Sequence, residues 1–204
     1  MTPADLFFSV AVPMAAFTMA GSMTPGPNNV MLAASGANFG FRRSLGHMSG
    51  VVFGATSLLF LIAIGLGAVF QVLPGLQIGI KIAGALFLLY LAWRIATSVP
   101  KESAEQEGRP LSFLEAFGFQ FANPKAWTVT GAAASTFMPA DIGMLFGAGV
   151  LAATFAVVAV PAVTVWTAFG VGIGRLLRTP RAHRIFNGAM ALLLVATVAF
   201  LFAA

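Results

Sequence analysis

Two short motifs place proline, glycine and asparagine inside long apolar runs. They are TPGPNN at 24–29 and NPK at 123–125. Because proline removes a backbone N–H and clashes with the preceding helical turn, each motif predicts an interrupted helix. An interruption leaves free carbonyl oxygens at one helix end, and free N–H groups with partial positive charge at the next. Carbonyls suit an ammonium group and N–H groups suit a carboxylate, so such a gap could bind a zwitterion.

Lys125 is the most informative charge in the chain, because it lies well inside an apolar run. A buried ammonium group is costly in a membrane and is usually functional, so Lys125 could pair with a carboxylate or join a proton relay. The alternative is that its side chain snorkels to the nearer interface. Gln120 and Trp127, on either side of it, could complete a polar pocket with an aromatic wall. For the first motif, the alternative is a proline kink that binds nothing.

These arguments define the candidate site residues. We expect a substrate to be bound by Thr24, Pro25, Gly26, Pro27, Asn28, Asn29, Gln120, Asn123, Pro124, Lys125 and Trp127. The candidates for coupling transport to an ion are Lys125, Glu115 and His47. A purely structural alternative exists for two of them: His47 follows a basic loop and could be interfacial, and Glu115 begins an apolar run, where an acidic side chain complements a helix N-terminus.

The composition indicates that lipid surrounds most of this chain. Of its 204 residues, 59% are hydrophobic and only 8% are charged, with a mean hydropathy of +0.93; soluble domains are about 25% charged. A soluble globule and a disordered chain are both excluded. The net charge of +5 does not indicate nucleic-acid binding, because the basic residues lie between apolar runs.

The residues that carry most catalytic chemistry are scarce. The chain has no cysteine, which excludes disulfides and thiolate chemistry, and its two histidines have no convincing acidic partner at the same depth. We therefore expect no enzyme activity, metal or cofactor.

The apolar runs predict an all-α integral membrane protein with six transmembrane helices, since a span needs roughly 20 apolar residues. The predicted spans are Leu6–Gly36, Leu45–Leu73, Leu76–Thr97, Leu111–Phe137, Ile142–Ile173 and Ile185–Phe202. The two motifs fall in the first and fourth spans, which are therefore predicted to be broken.

Basic residues predict the orientation of these spans. The first, third and fifth connections carry nine of the eleven Lys and Arg residues, which predicts that they are cytoplasmic and that both termini are periplasmic. Residues 1–23 contain no Lys or Arg, so we expect no cleaved signal peptide.

The hydrophilic stretch 98–110 divides the chain into two three-span halves, 1–97 and 111–204. It is predicted to be a cytoplasmic linker. Because each half has an odd number of spans, the second half enters the membrane from the opposite side, which predicts an inverted 3+3 repeat. Gly46, Gly50 and Gly54 form a small-residue face for close packing, within the chain or in a homodimer. The glycines of 170–174 resemble part of a dinucleotide loop, but they end an apolar run interpreted as lipid-facing.

Three motifs resemble the LysE/RhtB family of amino-acid exporters: TPGPNN at 24–29, LLYLAWR at 88–94 and NPKAW at 123–127. The resemblance is collinear and covers nearly the whole chain. The doubled asparagine at 28–29, the GFRRS loop at 40–44, the IATS ending at 95–98 and QFAN at 120–123 are similar to the cysteine/O-acetylserine exporter branch.

The resemblance implies a six-span inner-membrane exporter of neutral amino acids or their derivatives, driven by the proton motive force. Its partners would be the substrate and membrane lipid. Many members of the family have an acidic residue after a glycine in the second span, whereas here Gly54 is followed by Ala55. A proton carrier, if there is one, would be another group.

Overall fold

The computed structural model describes residues 2–66, 74–98, 108–177 and 179–203. Within these ranges the chain forms eight helices and no β-strand, which confirms the predicted all-α class. The helices are α1 (Pro3–Met23), α2 (Pro27–Arg43), α3 (Leu45–Leu66), α4 (Pro74–Thr97), α5 (Phe113–Ala122), α6 (Pro124–Phe137), α7 (Met144–Leu176) and α8 (Pro180–Ala203).

Five helices, α1, α3, α4, α7 and α8, are long and apolar enough to cross a membrane. Helix α7 has 33 residues and is therefore about 50 Å long, so it must tilt in a hydrocarbon core of about 30 Å or extend beyond it. Three helices are too short to be counted as membrane spans by themselves: α2, α5 and α6, with 17, 10 and 14 residues. The count of six spans therefore stays a prediction, since it requires α5 and α6 to act together. Most of the predicted linker, 99–107, lies outside the described residues, as does the end of the second predicted span.

Both predicted interruptions are present. The first predicted span consists of α1 and α2, separated by residues 24–26, and the fourth consists of α5 and α6, separated by Asn123. The two broken helices run antiparallel. Phe17 of α1 packs on Phe137 at the far end of α6, whereas Gly21, later in α1, faces Val129, earlier in α6.

A glycine seam joins α2 to α7, and the two helices run parallel. A Cβ atom at Gly170 would lie 2.0 Å from the Ala33 carbonyl oxygen, and one at Gly174 would lie 2.7 Å from that of Ala37. The lipid-facing interpretation of 170–174 is therefore wrong for these two glycines. They are glycines because the backbone of α2 occupies the space that a side chain would need.

A second parallel seam joins α3 to α5. A Cβ atom at Gly50 would lie 2.4 Å from the Phe113 carbonyl oxygen, and one at Gly54 would lie 2.6 Å from that of Phe117. The small-residue face predicted here therefore packs within the chain. Helix α4 packs against α8, so the last helices of the two predicted halves are also in contact.

The described ends of the first and third basic connections meet at one end of the molecule, and Asn187, just after the fifth, donates to the Ser98 carbonyl oxygen at 2.8 Å. Arg43 donates a hydrogen bond to the Gly108 carbonyl oxygen at 3.3 Å, and Arg94 donates to that of Arg109 at 2.8 Å. This basic end agrees with the grouping of charges predicted from the sequence, although Lys101 and Arg178 lie outside the described residues. At the other end, the Lys81 ammonium lies 5.2 Å from the centre of the Phe202 ring.

Candidate functional site

The two interruptions have the same local construction. Gly26 is extended, with φ −171° and ψ 176°, and precedes Pro27 at the first position of α2. Asn123 is extended, with φ −89° and ψ 110°, and precedes Pro124 at the first position of α6. Proline is well tolerated there, because the N–H that it lacks would have no partner in the helix. Each broken helix therefore restarts with a new N-terminal turn.

Lys125 connects the two interruptions directly. Its side chain is half-buried, and Nζ donates to the Thr24 carbonyl oxygen and lies 3.5 Å from that of Pro25. A Cβ atom at Gly26 would lie 2.6 Å from Lys125 Cδ, so any larger residue there would require the lysine side chain to move. The ammonium group therefore contacts the carbonyl oxygens of the first interruption.

Asn28 and Gln120 form a reciprocal amide pair between α2 and α5. Asn28 Nδ2 donates to Gln120 Oε1 at 2.6 Å, and Gln120 Nε2 donates to Asn28 Oδ1 at 3.1 Å. Gln120 is completely buried, and its Nε2 also donates to the Ala116 carbonyl oxygen at 2.9 Å. The pair aligns the first turn of α2 with the end of α5.

Asn29 and Asn123 stabilise the interruptions from within. Asn29 Nδ2 donates to the carbonyl oxygens of Ser22 and Thr24, both at 2.8 Å, so it closes the gap between α1 and α2. Asn123 is 2% exposed, and its Oδ1 accepts from the Lys125 N–H at 3.1 Å, as a cap of α6. These contacts satisfy polar backbone groups that would otherwise be costly in a lipid environment.

Trp127 lies behind the second interruption. Its indole N–H donates to the Phe121 carbonyl oxygen at 2.7 Å, which satisfies one of the last carbonyl groups of α5. The residue is not part of the lining of the cavity between the interruptions. Its predicted role as an aromatic wall stays a prediction.

A cavity of about 70 Å³ lies between the interruptions. That volume can hold several water molecules or the head group of a small ligand. Six predicted site residues line it: Gly26, Asn28, Asn29, Gln120, Asn123 and Lys125. Of the other predicted residues, Thr24 and Pro25 contribute carbonyl oxygens to Lys125, and Pro27 and Pro124 begin the two helices.

The rest of this wall was missed from the sequence. Ser22 lines the cavity, and its carbonyl oxygen accepts from both Asn29 and the indole N–H of Trp166. In the sequence, the position of Ser22 just before the first motif could have indicated that it lines the site. The apolar wall includes Val51 and Phe155, which cannot be distinguished in sequence from lipid-facing residues of the same helices.

The coupling candidates His47 and Glu115 both lie away from this cavity. His47 is 1% exposed, so its side chain is covered by protein, although Leu45 in the same turn of α3 is 51% exposed. Glu115 lies towards the basic end, where Oε2 accepts from the Ser112 N–H at 2.7 Å and Oε1 accepts from Arg109 at 2.8 Å. This ion pair raises the pKa of Arg109 above its ordinary value, because the carboxylate stabilises the charged guanidinium.

A second amide pair, near the basic end, was also missed. Asn38 Nδ2 donates to Asn187 Oδ1 at 2.9 Å, and Asn187 Nδ2 donates to Asn38 Oδ1 at 3.1 Å and to the Ser98 carbonyl oxygen at 2.8 Å. Asn187 is completely buried. In the sequence, the position of Asn187 near the start of an otherwise apolar span could have indicated this pair. Across the four described ranges, no group of three or more His, Asp or Glu side chains could hold a metal ion.

Comparison with known proteins identifies related sequences. The family of LysE type translocators matches residues 19–204. Proteins named cysteine/O-acetylserine efflux protein, from Escherichia coli strain K12 and from Shigella flexneri, are 37% identical over 123 residues. The aligned part is 60% of this chain and 62% of each relative, so the chain spans less than two thirds of the length of these curated relatives. No solved structure matches the chain.

Proposed function

The chain belongs to the LysE type translocator family, and on this premise we propose that it exports small neutral amino acids or their derivatives across the bacterial inner membrane. It is a multi-pass membrane protein of a family of translocators, which favours transport over catalysis. The relatives named for cysteine and O-acetylserine efflux suggest substrates of that kind, with homoserine and threonine as further candidates.

The contact of Lys125 with the first interruption is the observation that carries this proposal. The α-ammonium group of an amino acid has the same charge and donor geometry as a lysine ammonium. Carbonyl oxygens that accept from Lys125 can therefore accept from a substrate. We infer that Lys125 holds the place of the substrate ammonium group until a substrate binds.

Displacement of Lys125 would create the second half of the site. Once the substrate ammonium group occupies the carbonyl oxygens of Thr24 and Pro25, the freed Lys125 ammonium can pair with the substrate carboxylate. The first turn of α2, including the N–H groups of Asn28 and Asn29, adds donors and partial positive charge. A zwitterion can place its ammonium group on the carbonyl oxygens and its carboxylate on Lys125, and it adds no net charge. A simple amine or a simple acid can fill only one of these two positions.

Transport would proceed by alternating access around this cavity. The antiparallel broken helices and the parallel direction of both glycine seams support an inverted repeat of 1–97 and 111–204. The repeat is inexact, because one seam uses the helix after its interruption, α2, and the other uses the helix before its interruption, α5. In this proposal the segment 98–110 is a cytoplasmic linker, the basic end is cytoplasmic and both termini are periplasmic. Lys125 is our first candidate for coupling to protons, because it alone of the three candidates lies at the interruptions.

Reconstitution of the purified protein into liposomes tests this function. Efflux of cysteine, O-acetylserine, homoserine and threonine would be measured with and without an imposed proton gradient. We expect efflux of at least one against its own gradient, and its loss in Asn123→Ala, which removes the cap of α6. A matched control is Ser135→Ala, because Ser135 is an exposed residue of the same helix.

Two other functions predict different results in the same liposomes. A passive channel would release solute only down its gradient and would ignore an uncoupler. A structural or assembly protein would release none of the four compounds. Cross-linking in the same membranes would show whether a homodimer forms. Unchanged efflux in Asn123→Ala would remove the proposed site even if transport itself were found.

A further inference from the structure

A second cavity, of about 50 Å³, lies between the basic end and the first. Its polar lining includes Ser35, Asn38, His47, Arg94, Ser98 and Arg109. The side chain of Arg109 is 58% exposed, so the cavity is bordered by a surface residue. It has no part in the site between the interruptions.

His47 is the unusual residue of this cavity. It is 1% exposed, and neither ring nitrogen has a hydrogen-bond partner among the described residues. Burial of a polar atom without a partner is costly, so a buried imidazole of this kind indicates that something else bonds to it. A neutral imidazole has one nitrogen that donates and one that accepts.

Ser35 supplies a second acceptor. Ser44 Oγ donates its only hydrogen to the Gly40 carbonyl oxygen at 2.9 Å, so in the 2.8 Å contact between Ser35 Oγ and Ser44 Oγ the donor is Ser35. This leaves the lone pairs of Ser35 available. On the opposite wall, Arg94 uses one of its N–H groups on the Arg109 carbonyl oxygen and brings a positive charge. The cavity thus combines acceptors for an ammonium group with the Arg94 guanidinium for a carboxylate.

The two cavities are lined by the same helix faces. On α3, Ala55 and Val51 line the first cavity and His47 lines the second, at intervals of four residues. On α2, Asn28 lines the first and Ser35 lines the second. Seven helical residues correspond to about 10 Å. Met31 of α2 also lines the second cavity and is 3% exposed, so an apolar side chain lies between the two polar sites.

We propose that the second cavity is an entry subsite, which binds a zwitterionic amino acid at the basic end before it reaches the interruptions. This inference rests on the proposed function. The guanidinium group of Arg94 takes the carboxylate, and the accepting nitrogen of His47 takes the ammonium group. Movement of Met31 then connects the two sites.

The absence of cysteine in the chain makes this inference testable with single thiols. Ser35→Cys places a thiol in the second cavity, and Ser22→Cys places one in the first. Each variant of the full chain is reconstituted and treated with 2-aminoethyl methanethiosulfonate, with and without O-acetyl-L-serine as the probe. We expect the probe to slow modification at both positions.

His47→Leu, added to each single-cysteine variant, separates the two sites. We expect the concentration that gives half-protection to rise about tenfold at position 35, as for loss of one hydrogen bond to a charged group, and to stay unchanged at position 22. His47→Gln, which keeps an acceptor, should restore protection at position 35. This rescue distinguishes a binding role from a packing role.

Three results would overturn the entry subsite. The first is that the reagent does not modify the thiol at position 35. The second is that the probe protects position 22 but not position 35. The third is that Lys125→Met abolishes protection at both positions together. The last would mean that one bound molecule accounts for both effects. Failure of the probe to protect position 22 would instead count against the proposed function. The two proposals therefore fail by different observations.

Discussion

Gly170→Ala should separate α2 from α7 and disturb the candidate site from a distance. The added Cβ atom would lie 2.0 Å from the Ala33 carbonyl oxygen, and ordinary contacts begin at 3.4 Å. The two backbones must therefore move apart by about 1.4 Å, because neither side of the contact is a flexible side chain. Overpacking of this kind typically costs about 1–3 kcal/mol.

The displacement should reach the amide pair at the site. Asn28 is on the same helix as Ala33, and its Nδ2 lies 2.6 Å from Gln120 Oε1. A shift of α2 by more than about 1 Å would stretch this hydrogen bond beyond its useful range. We therefore expect Gly170→Ala to lower both the Tm of the purified protein and the rate of transport in liposomes.

Gly172→Ala is the matched control. Gly172 lies on the same helix, and a Cβ atom there would meet nothing within 4 Å. Since alanine favours a helix over glycine by about 1 kcal/mol, this variant should be at least as stable as the wild type and should transport normally. Equal Tm values and equal rates for the two variants would refute the glycine seam.

Three further predictions follow from single contacts. Asn28→Ala and Gln120→Ala should each lower the free energy of unfolding by about 1–3 kcal/mol, because each leaves a buried amide without its partner. The double variant should lose less than the sum of the two, and additive losses in a double-mutant cycle would contradict the pair. Trp127→Phe should lower the Tm and leave KM unchanged, because the indole bonds a backbone carbonyl outside the cavity; a raised KM would contradict this. Arg109→Gln should lower the free energy of unfolding by no more than about 1 kcal/mol, since its ion pair with Glu115 is exposed. A Tm loss as large as that of the buried amide pair would be inconsistent with a surface contact.

The interruptions were predictable because they depend on local chemistry. Proline alone does not interrupt a helix here, since Pro161 lies inside the continuous helix α7. Pro27 and Pro124 each follow a residue, Gly26 or Asn123, that takes the extended backbone of the interruption, so the combination of residue types indicated both positions. The polar residues of the cavity were predictable for the same reason, since Asn28, Gln120 and Lys125 are rare in apolar runs. Polar side chains inside a membrane span face protein or a wet cavity rather than acyl chains.

The partners of these residues could not be predicted. That Lys125 rests on the Thr24 carbonyl oxygen depends on how two helices about a hundred residues apart in the chain pack together. The same limit applies to Gly170, whose role is set by the approach of Ala33. His47 follows a basic loop in the sequence, and its burial depends on how the neighbouring helices pack around it. Apolar periodicity predicts helices, but it does not distinguish a face against protein from a face against lipid.

Equilibrium binding to the purified protein and to Lys125→Met tests the central claim most directly. The two ligands would be O-acetyl-L-serine and its methyl ester, which has the ammonium group but no carboxylate. If Lys125 occupies the ammonium position and then pairs with the carboxylate, Lys125→Met should weaken binding of the zwitterion about tenfold or more and tighten binding of the ester. A change in the same direction for both ligands, or no change for either, would contradict the account.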